Sequence, residues 1–437
     1  MNTQQELHRI VIVGGGAGGL ELATRLGRTL GKKKKAEVVL VDARMTHIWK
    51  PLLHEVAAGS LNSYSDELNY LAQANWNHFR FQPGTMSDLN REQKTITLAP
   101  ASDNTGTELL PERTLSYDSL VIAVGSNTND FSTPGAREHC LFLDSREQAE
   151  RIHHHLISRS IRHMSEDEKP EPTRIVVIGA GATGVELTAE LHHAAKLMVR
   201  YGLEQNPTDM QLTLVEGSNR VLPALPERIS NGVQAQLDTL GIHTRTGTPV
   251  SQITADGIIT RSGKTIPSDL TIWAAGIKGP AFLKDLDGLE SNKINQLIVK
   301  PTLQTTQDDN IYSLGDCASC TLTGKAGDFT VPPRAQSAHQ QASLLAKNLS
   351  RKLDGKELLN FQYRDHGSLI SLSSHSAVGN LMGNLTGDVM LEGQIARLFY
   401  ISLYRLHQLT LYGFWRTGML IAKDLLERST TPKLKLH

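Results

Sequence analysis

Cysteine is almost missing from this chain: Cys140, Cys317 and Cys320 are the only three in 437 residues. So few, and an odd number, exclude a disulfide-stapled secreted scaffold and suit a reducing compartment. Net charge is missing too, with 45 Lys and Arg against 45 Asp and Glu. A neutral chain has no global attraction for nucleic acid or acidic partners, so any electrostatic targeting has to be local. There is no run of about 18 consecutive apolar residues, which excludes an ordinary membrane-spanning helix. The opening MNTQQELHRIVIVGGG lacks the basic segment, apolar run and cleavage site of a signal peptide. What remains is a soluble or peripheral cytoplasmic protein. At roughly 150 residues per domain, its length implies two or three domains.

What is present is a duplication. Residues 9–22 read RIVIVGGGAGGLEL and residues 174–187 read RIVVIGAGATGVEL, identical at nine of fourteen positions. In the first copy the β-branched run 10–13 is too short for a helix and runs into glycines, so it predicts a buried parallel strand. Leu20, Ala23, Leu26 and Leu30 then follow at helical spacing, and AEVVLVD (36–42) predicts a second strand. The second copy repeats strand, turn, helix and strand, the last being QLTLVE, which ends at Glu216. SYDSLVIAVGS (116–126) and PSDLTIWAAGI (267–277) are matching strands that each end in a glycine turn, where each half completes its sheet and crosses over. SEDEKPEP (165–172) predicts an exposed loop. The stretch from Phe361 to Gly393, short apolar pairs among Ser, Asn and Gly, predicts antiparallel hairpins.

Gly14, Gly16 and Gly19 form G-x-G-x-x-G between a strand and a helix. The first permits a tight turn, the second lets a pyrophosphate approach the backbone, and the third lets helix and strand pack closely. Asp42 closes the second strand, where a carboxylate accepts hydrogen bonds from a ribose diol. Gly179, Gly181 and Gly184 repeat the pattern with Glu216 as the terminal acid, which favours NADH by repelling the 2′-phosphate of NADPH, with Arg220 close by as a complication. Two such domains suit a chain that holds two dinucleotides with their reactive rings together, one resident and one exchanging.

At this point the sequence resembles the two-dinucleotide-binding flavoprotein superfamily over nearly its full length, and within it the type II NADH dehydrogenases of bacteria. HIWKPLLHEVAAGS (47–60), IYSLGDCAS (311–319) and VPPRAQSAHQQ (331–341) carry the resemblance besides the glycines. It implies an α/β fold of the glutathione-reductase-like class: two Rossmann-type domains and a C-terminal region of β-hairpin and membrane-anchoring amphipathic helix. The implied division is 1–130 and 277–355 for FAD, 131–276 for NADH and 356–437 for membrane association.

The implied FAD contacts are Gly14, Gly16, Gly19, Asp42, Lys50, Ala123, Gly125, Asp316, Ala335 and Gln336. Those for NADH are Gly179, Gly181, Gly184, Glu186, Glu216, Ala275 and Gly276. Glu186, Gln336, Gln340 and Lys50 are the implied catalytic residues, with Glu186 near flavin and nicotinamide and the two glutamines bordering flavin and quinone. Pro332 and Pro333 suit the opening of a helix on which Gln336 and Gln340, four apart, share a face.

CASC (317–320) spells C-x-x-C, yet no second such pair completes a zinc site, and the superfamily's disulfide reductases carry their reactive pair elsewhere. A structural or incidental role is expected. The acceptor is read from the C-terminus. Residues 394–437 hold seven Lys or Arg (397, 405, 416, 423, 428, 433, 435) against Asp424 and Glu427, a net charge of plus five. The stretch 396–426 interleaves these with Leu, Phe, Tyr and Trp415, predicting a basic amphipathic helix in the interface of an anionic membrane.

The expected activity is non-pumping NADH:quinone oxidoreduction through non-covalent FAD. Its acceptor is a membrane quinone, ubiquinone or menaquinone, met at the cytoplasmic face of a bacterial inner membrane. No nucleic acid partner is expected, and a homodimer is left open. The alternatives are an NADH-dependent reductase of ferredoxin or rubredoxin and a flavin-bound nucleotide sensor.

Overall fold

The computed structural model describes residues 7–62, 67–103, 105–164, 171–324, 327–372, 376–383, 387–427, 432 and 434–435. The predicted loop at 165–172 lies outside these but for its last two residues, as do Arg428, Lys433 and the side chain of Arg397.

The run His8–Val13 is a strand that ends at the first glycine. Ile10 and Ile12 pack into one core, Val11 and Val13 into another. Both faces of the sheet are covered, as an unbroken apolar strand requires. The strand is central in a parallel sheet ordered Ile311–Ser313, Ser119–Ile122, His8–Val13, Ala36–Asp42, Arg80–Pro83. A second parallel sheet repeats the arrangement with Cys140–Phe142, Leu270–Trp273, Thr173–Ile178, Met210–Val215 and His243–Arg245. In the first sheet the strand at one end comes from across the chain, whereas the second sheet is built from one contiguous stretch. Ile311–Ser313 follows the whole second sheet in sequence, and Cys140–Phe142 precedes that sheet's own central strand. The two crossovers meet where Asn127–Thr128 pairs antiparallel with Ile277–Lys278.

Helix α1 (Ala17–Leu26) follows the first glycine turn and runs on into a π-helical turn, Gly27–Gly31. α2 (Leu53–Ala58) and α3 (Tyr70–Asn77) belong to the first unit in sequence, but Leu53, Val56 and Ala57 of α2 are buried in the core of the second. The single turn α4 (Ala136–His139) and α5 (Arg146–Met164) lead to α6 (Ala182–Arg200), which opens at the second glycine turn. α2 packs against both α5 and α6. α7 (Glu227–Thr239) and α8 (Ala335–Leu353) follow, and α8 packs along α1. As the proline pair predicts, α8 begins just after Pro333.

The predicted hairpin region is a three-stranded meander, Ser368–Leu372, Ser376–Gly383 and Gly387–Glu392. The single helix predicted over 396–426 is two. Gly413 adopts φ +77°, the left-handed conformation that ends a helix, and separates α9 (Gly393–Tyr412) from α10 (Phe414–Glu427).

Not all of 394–437, the segment expected to meet an anionic membrane, is free to face one. His407, Gln408 and Leu411 of α9 are buried, because α9 lies on α1 and on the meander. The Arg28 guanidinium donates to the Thr410 and Leu411 carbonyls, 2.8 Å each, capping the end of α9. Arg405 is paired with Asp424, so its charge ties α9 to α10. Leu434 is buried in the second core, and the Lys435 N–H donates to the Gly59 carbonyl at 2.8 Å. Within the described residues of this tail, the strongly exposed apolar residues gather on α10: Phe414 at 75%, Trp415 at 82% and Met419 at 65% exposure. No helix among the described residues is long and apolar enough to cross a membrane.

Candidate functional site

The two glycine turns are alike in detail. Gly14 and Gly179 have φ +103° and +100°. A Cβ on Gly14 would lie 2.4 Å from the Ala123 carbonyl oxygen, and one on Gly179 2.7 Å from Ala275 Cα. At the third glycines the fit is tighter: a Cβ on Gly19 would stand 1.9 Å from the Gly14 oxygen, and one on Gly184 1.8 Å from the Gly179 oxygen. The protein's own packing therefore demands glycine at these four positions. Gly16 and Gly181 are different, since a Cβ there would meet nothing within 4 Å. Each is the N-cap of its helix, each lacks a capping side chain, and the first turns of α1 and α6 carry no acid. Unsatisfied N–H groups at the positive end of a helix dipole, with open space in front, fit a pyrophosphate at both places.

The terminal acids brace these turns from the next strand. Asp42 accepts from the Gly15 N–H at 2.6 Å and the Arg44 N–H at 2.9 Å, and burial pushes its pKa up against those bonds. Glu216 accepts from the Ala180 N–H at 2.7 Å and the Ser218 N–H at 2.8 Å. Each carboxylate keeps lone pairs for a ribose diol. Gly125 and Gly276, φ +70° and +68°, turn the chain after the matching strands Ser119–Ile122 and Leu270–Trp273.

Lys50, the Gly125 turn and Asp316 come together. Lys50 Nζ donates to the Ser126 carbonyl at 2.8 Å and stands 3.7 Å from Asp144, while Ser126 Oγ donates to Asp316 Oδ2 at 2.9 Å. Gln296 holds the Asp316 carbonyl at 2.8 Å, and Gln341 accepts the Gly315 N–H at 2.7 Å. Lys50 and Asp316, both implied FAD contacts, are thus tied together through Ser126.

Glu186, Gln336 and Gln340 are joined through one strap, residues 364–371. Gln340 exchanges two hydrogen bonds with the Arg364 backbone, at 2.8 and 3.0 Å. Gln336 accepts from the His366 N–H at 3.1 Å and donates to the Gly367 carbonyl at 3.0 Å. At the strap's other end Glu186, buried on α6, accepts from the Ser371 N–H at 3.0 Å. Both glutamines do face one side of α8, and their amides hold this strap; Ala335 opens the helix one residue before Gln336.

Glu186 sits among His54, 3.9 Å away on α2, and the neighbouring Glu55 and Glu190. Ser60 Oγ donates to Glu190. Burial raises the Glu186 pKa to about 8, with Glu55 and Glu190 adding to it, and burial lowers that of His54. Burial thus favours the protonated form of Glu186, which is positioned where the two halves meet.

This has a measurable consequence for stability. Below the ordinary value of 4.5 both folded and unfolded chains hold the proton. Between there and about 8 only the unfolded chain releases it, so the folded state loses ground, at up to about 1.4 kcal/mol per pH unit for one group. Above that range the loss is constant. Glu186→Gln removes the effect. In urea unfolding without NADH, the variant is expected to match the wild type near pH 4.5 and to exceed it by a few kcal/mol near pH 8. A gap that does not widen with pH would sink the assignment.

Cys317 and Cys320, adjacent in sequence motif, are buried in different cores as free thiols. Burial pushes Cys320 to about 11 and Cys140 to about 12, and raises Cys317 as well. These thiols are poorly suited to act as nucleophiles.

Four residues carry this geometry that the motif reading passes over: His54, Glu190, Ser126 and Tyr70, whose hydroxyl donates to the Gly15 carbonyl at 2.8 Å. Glu190 could have been found, since it stands four residues after Glu186 and so on the same helical face. His54 lies inside the quoted stretch beside Lys50. Tyr70 gives no sequence signal at all, since only the folded chain brings it to the turn.

Residues 8–342 match the family model described as pyridine nucleotide-disulphide oxidoreductase. A type II NADH:quinone oxidoreductase of Haemophilus influenzae is 43% identical, covering 99% of this chain and all of the relative. One from Staphylococcus aureus is 28% identical over 87% of this chain and 91% of its own. Among solved structures, Plasmodium falciparum NDH2 in complex with NADH has a TM-score of 0.80 at 20% identity, covering 98% of this chain and all of its own. A ferredoxin reductase of Rhodopseudomonas palustris has a TM-score of 0.65 at 20% identity, covering 88% of this chain and 90% of its own. Both structural likenesses show the fold.

Proposed function

The chain belongs to the pyridine nucleotide-disulphide oxidoreductase family, and on that premise we propose that it is an FAD-dependent NADH:quinone oxidoreductase of the type II class. The observation that carries this reading is the pair of uncapped, Cβ-free helix N-termini at Gly16 and Gly181, two dinucleotide cradles in one chain. The name of the full-length relative supports quinone as the acceptor.

Bound FAD would supply the two-electron redox chemistry that couples oxidation of NADH to reduction of quinone, the second proton of the quinol coming from solvent. The chain's own residues position and protect that exchange. Gly14, Gly16, Gly19 and Asp42 hold FAD, with Ala123 beneath the turn; Lys50, Gly125 and Asp316 line its further length. Gly179, Gly181, Gly184 and Glu216 hold NADH, with Ala275 and Gly276 beneath. Glu186 stores a proton at its carboxyl where the halves join. Ala335, Gln336 and Gln340 stand on the quinone side, keeping strap 364–371 in place. The division into 1–130, 131–276, 277–355 and 356–437 is supported by which sheet each strand joins.

The reading includes a peripheral seat on the cytoplasmic face of a bacterial inner membrane, where NADH is at hand. The exposed apolar side of α10 supports it, and quinone then reaches the flavin without leaving lipid.

Oxidation of NADH by the holoenzyme, assayed with long-chain quinones in lipid and with ferredoxin as a control, tests the whole reading. Flavin absorbance is expected to bleach on mixing with NADH and recover with quinone but not with ferredoxin. Recovery with ferredoxin alone would replace this function with the soluble-carrier reductase.

Donor choice supplies a second test. Glu216→Gln removes the carboxylate that would face the 2′-phosphate of NADPH, and Arg220 is held close by through the Pro223 carbonyl. The NADH-to-NADPH ratio of kcat/KM is expected to fall about tenfold, the size of one screened charge repulsion. An unchanged ratio would place Glu216 away from the adenosine ribose.

A further inference from the structure

Residues 32–35 are four consecutive lysines, all exposed, in a turn between the π-helical turn Gly27–Gly31 and the buried Ala36. The turn is tightly built. Lys32, Lys34 and Lys35 N–H groups donate to the carbonyls of Gly27, Gly31 and Leu30 at 2.8 to 2.9 Å, and Lys34 takes a left-handed φ of +52°. Among the described residues Lys32, Lys33 and Lys34 have no carboxylate at ion-pair distance, and Lys35 has only Asp354 at 4.0 Å, which Lys356 already engages at 3.2 Å. Three of these four crowded like charges have no partner among the described residues and the fourth shares one, so the fold does little to offset their mutual repulsion.

Their location gives them a use. A Cβ on Gly27 would be 2.1 Å from the Asn77 carbonyl oxygen and one on Gly31 2.2 Å from that of His78, so the π turn lies directly on the end of α3. Arg28 donates to Asn77 Oδ1 at 2.8 Å and to the last carbonyls of α9, just before Gly413. Beyond that joint the Arg416 guanidinium lies 4.1 Å over the ring of Trp76, which also meets Tyr412 at 6.2 Å. Burial first, then the charges of Arg25 and Arg416, lower the Arg28 pKa, a sign of how closely the cations gather here. The lysine turn, α3 and the start of α10 therefore adjoin, and α10 brings Phe414, Trp415 and Met419.

We propose that Lys32–Lys35, with Arg416, are a headgroup-binding rim that seats the apolar side of α10 on an anionic phospholipid bilayer. An exposed cationic turn next to exposed aromatic and aliphatic side chains matches a surface with phosphate outside and hydrocarbon beneath. The rim rests on the membrane reading given above and adds to it a determinant outside the C-terminal tail.

The test uses the holoenzyme with vesicles of phosphatidylglycerol mixed with phosphatidylcholine, and with phosphatidylcholine alone. Each lysine near an anionic surface contributes about fivefold to binding, so K32Q/K33Q/K34Q/K35Q is expected to bind the mixed vesicles about six-hundredfold more weakly. Binding to phosphatidylcholine alone and turnover with a soluble short-chain quinone are expected to stay unchanged. A variant of equal charge change at exposed lysines elsewhere, K196Q/K264Q/K284Q/K293Q, is expected to lose far less. The reversal K33E/K34E provides the same reading with two substitutions, should four disturb the turn. Wild-type binding that the lysine variants leave intact, or lose no more than the remote set loses, would overturn the rim and leave the membrane reading standing. Lysine-dependent binding to heparin with no lysine-dependent binding to vesicles would also overturn it. A wild-type enzyme that binds neither vesicle would remove the membrane reading and the rim together.

Discussion

Gly181→Asp is expected to raise the KM for NADH about a thousandfold while the nucleotide-free protein becomes slightly more stable. The backbone at Gly181, φ −71° and ψ −175°, is extended and open to any residue, and a Cβ there would touch nothing within 4 Å. Asp is among the best N-cap residues and Gly is only slightly worse, so the apo protein gains about a few tenths of a kcal/mol from satisfying an orphan N–H of α6. That same carboxylate occupies the place of the pyrophosphate and repels it, at about 4 kcal/mol for a close pair near a surface, roughly three powers of ten. FAD is expected to stay bound, since its cradle is the other turn. Thermal unfolding, flavin content and NADH titration of flavin bleaching give the three readouts. Unaltered NADH affinity in a folded variant would mean that the second cradle does not hold the nucleotide's phosphates.

Phe414→Ser, Trp415→Ser and Met419→Ser together are expected to detach the enzyme from vesicles. All three side chains already face solvent in the folded chain, so their loss costs it little. Fully burying such a side chain stabilises by about 1.5 to 3 kcal/mol, and three partial burials in a membrane interface sum to about 4 kcal/mol, roughly a thousandfold in partitioning. Substitution is preferable to truncation because Leu434 and Lys435 pack against the second core and Gly59. Co-sedimentation with lipid vesicles should fall by that factor, and turnover of a long-chain quinone in lipid should fall with it. Flavin reduction by NADH should continue at its wild-type rate. A triple variant that still sediments as the wild type does would make α10 an interface for another protein copy.

Much of this molecule is legible in its sequence because the glycine turns impose steric demands that few other residues meet. Gly14, Gly19, Gly179 and Gly184 are fixed by contacts at 1.8 to 2.7 Å, and Gly16 and Gly181 stay bare for a ligand. The apolar strands around them, covered on both faces, are equally plain in the text. The glutamines of α8 were legible as a shared face, but not as clamps on strap 364–371, since that pairing depends on chain returning 24 to 31 residues later. The fate of α9 was least legible. An amphipathic pattern states that one face will be covered and does not state by what. Only Arg28 at the end of α9, 382 residues away in sequence, and the left-handed Gly413 distinguish a packed α9 from an exposed α10.

The late-made end strand of the first sheet bears on how the chain is made. Ser119–Ile122 of the first sheet pairs with Ile311–Ser313, so this sheet stays one strand short while nearly 190 further residues are synthesised. At about 5 to 20 residues per second, that edge remains open for about 10 to 40 seconds on the ribosome. The second sheet has all its strands by Trp273 and can close first, although its central element is made later than that of its neighbour. The earliest-made nucleotide fold is thus the last to be completed, and a nascent chain arrested before Ile311 displays an unpaired hydrophobic strand edge, the kind of surface that chaperones hold.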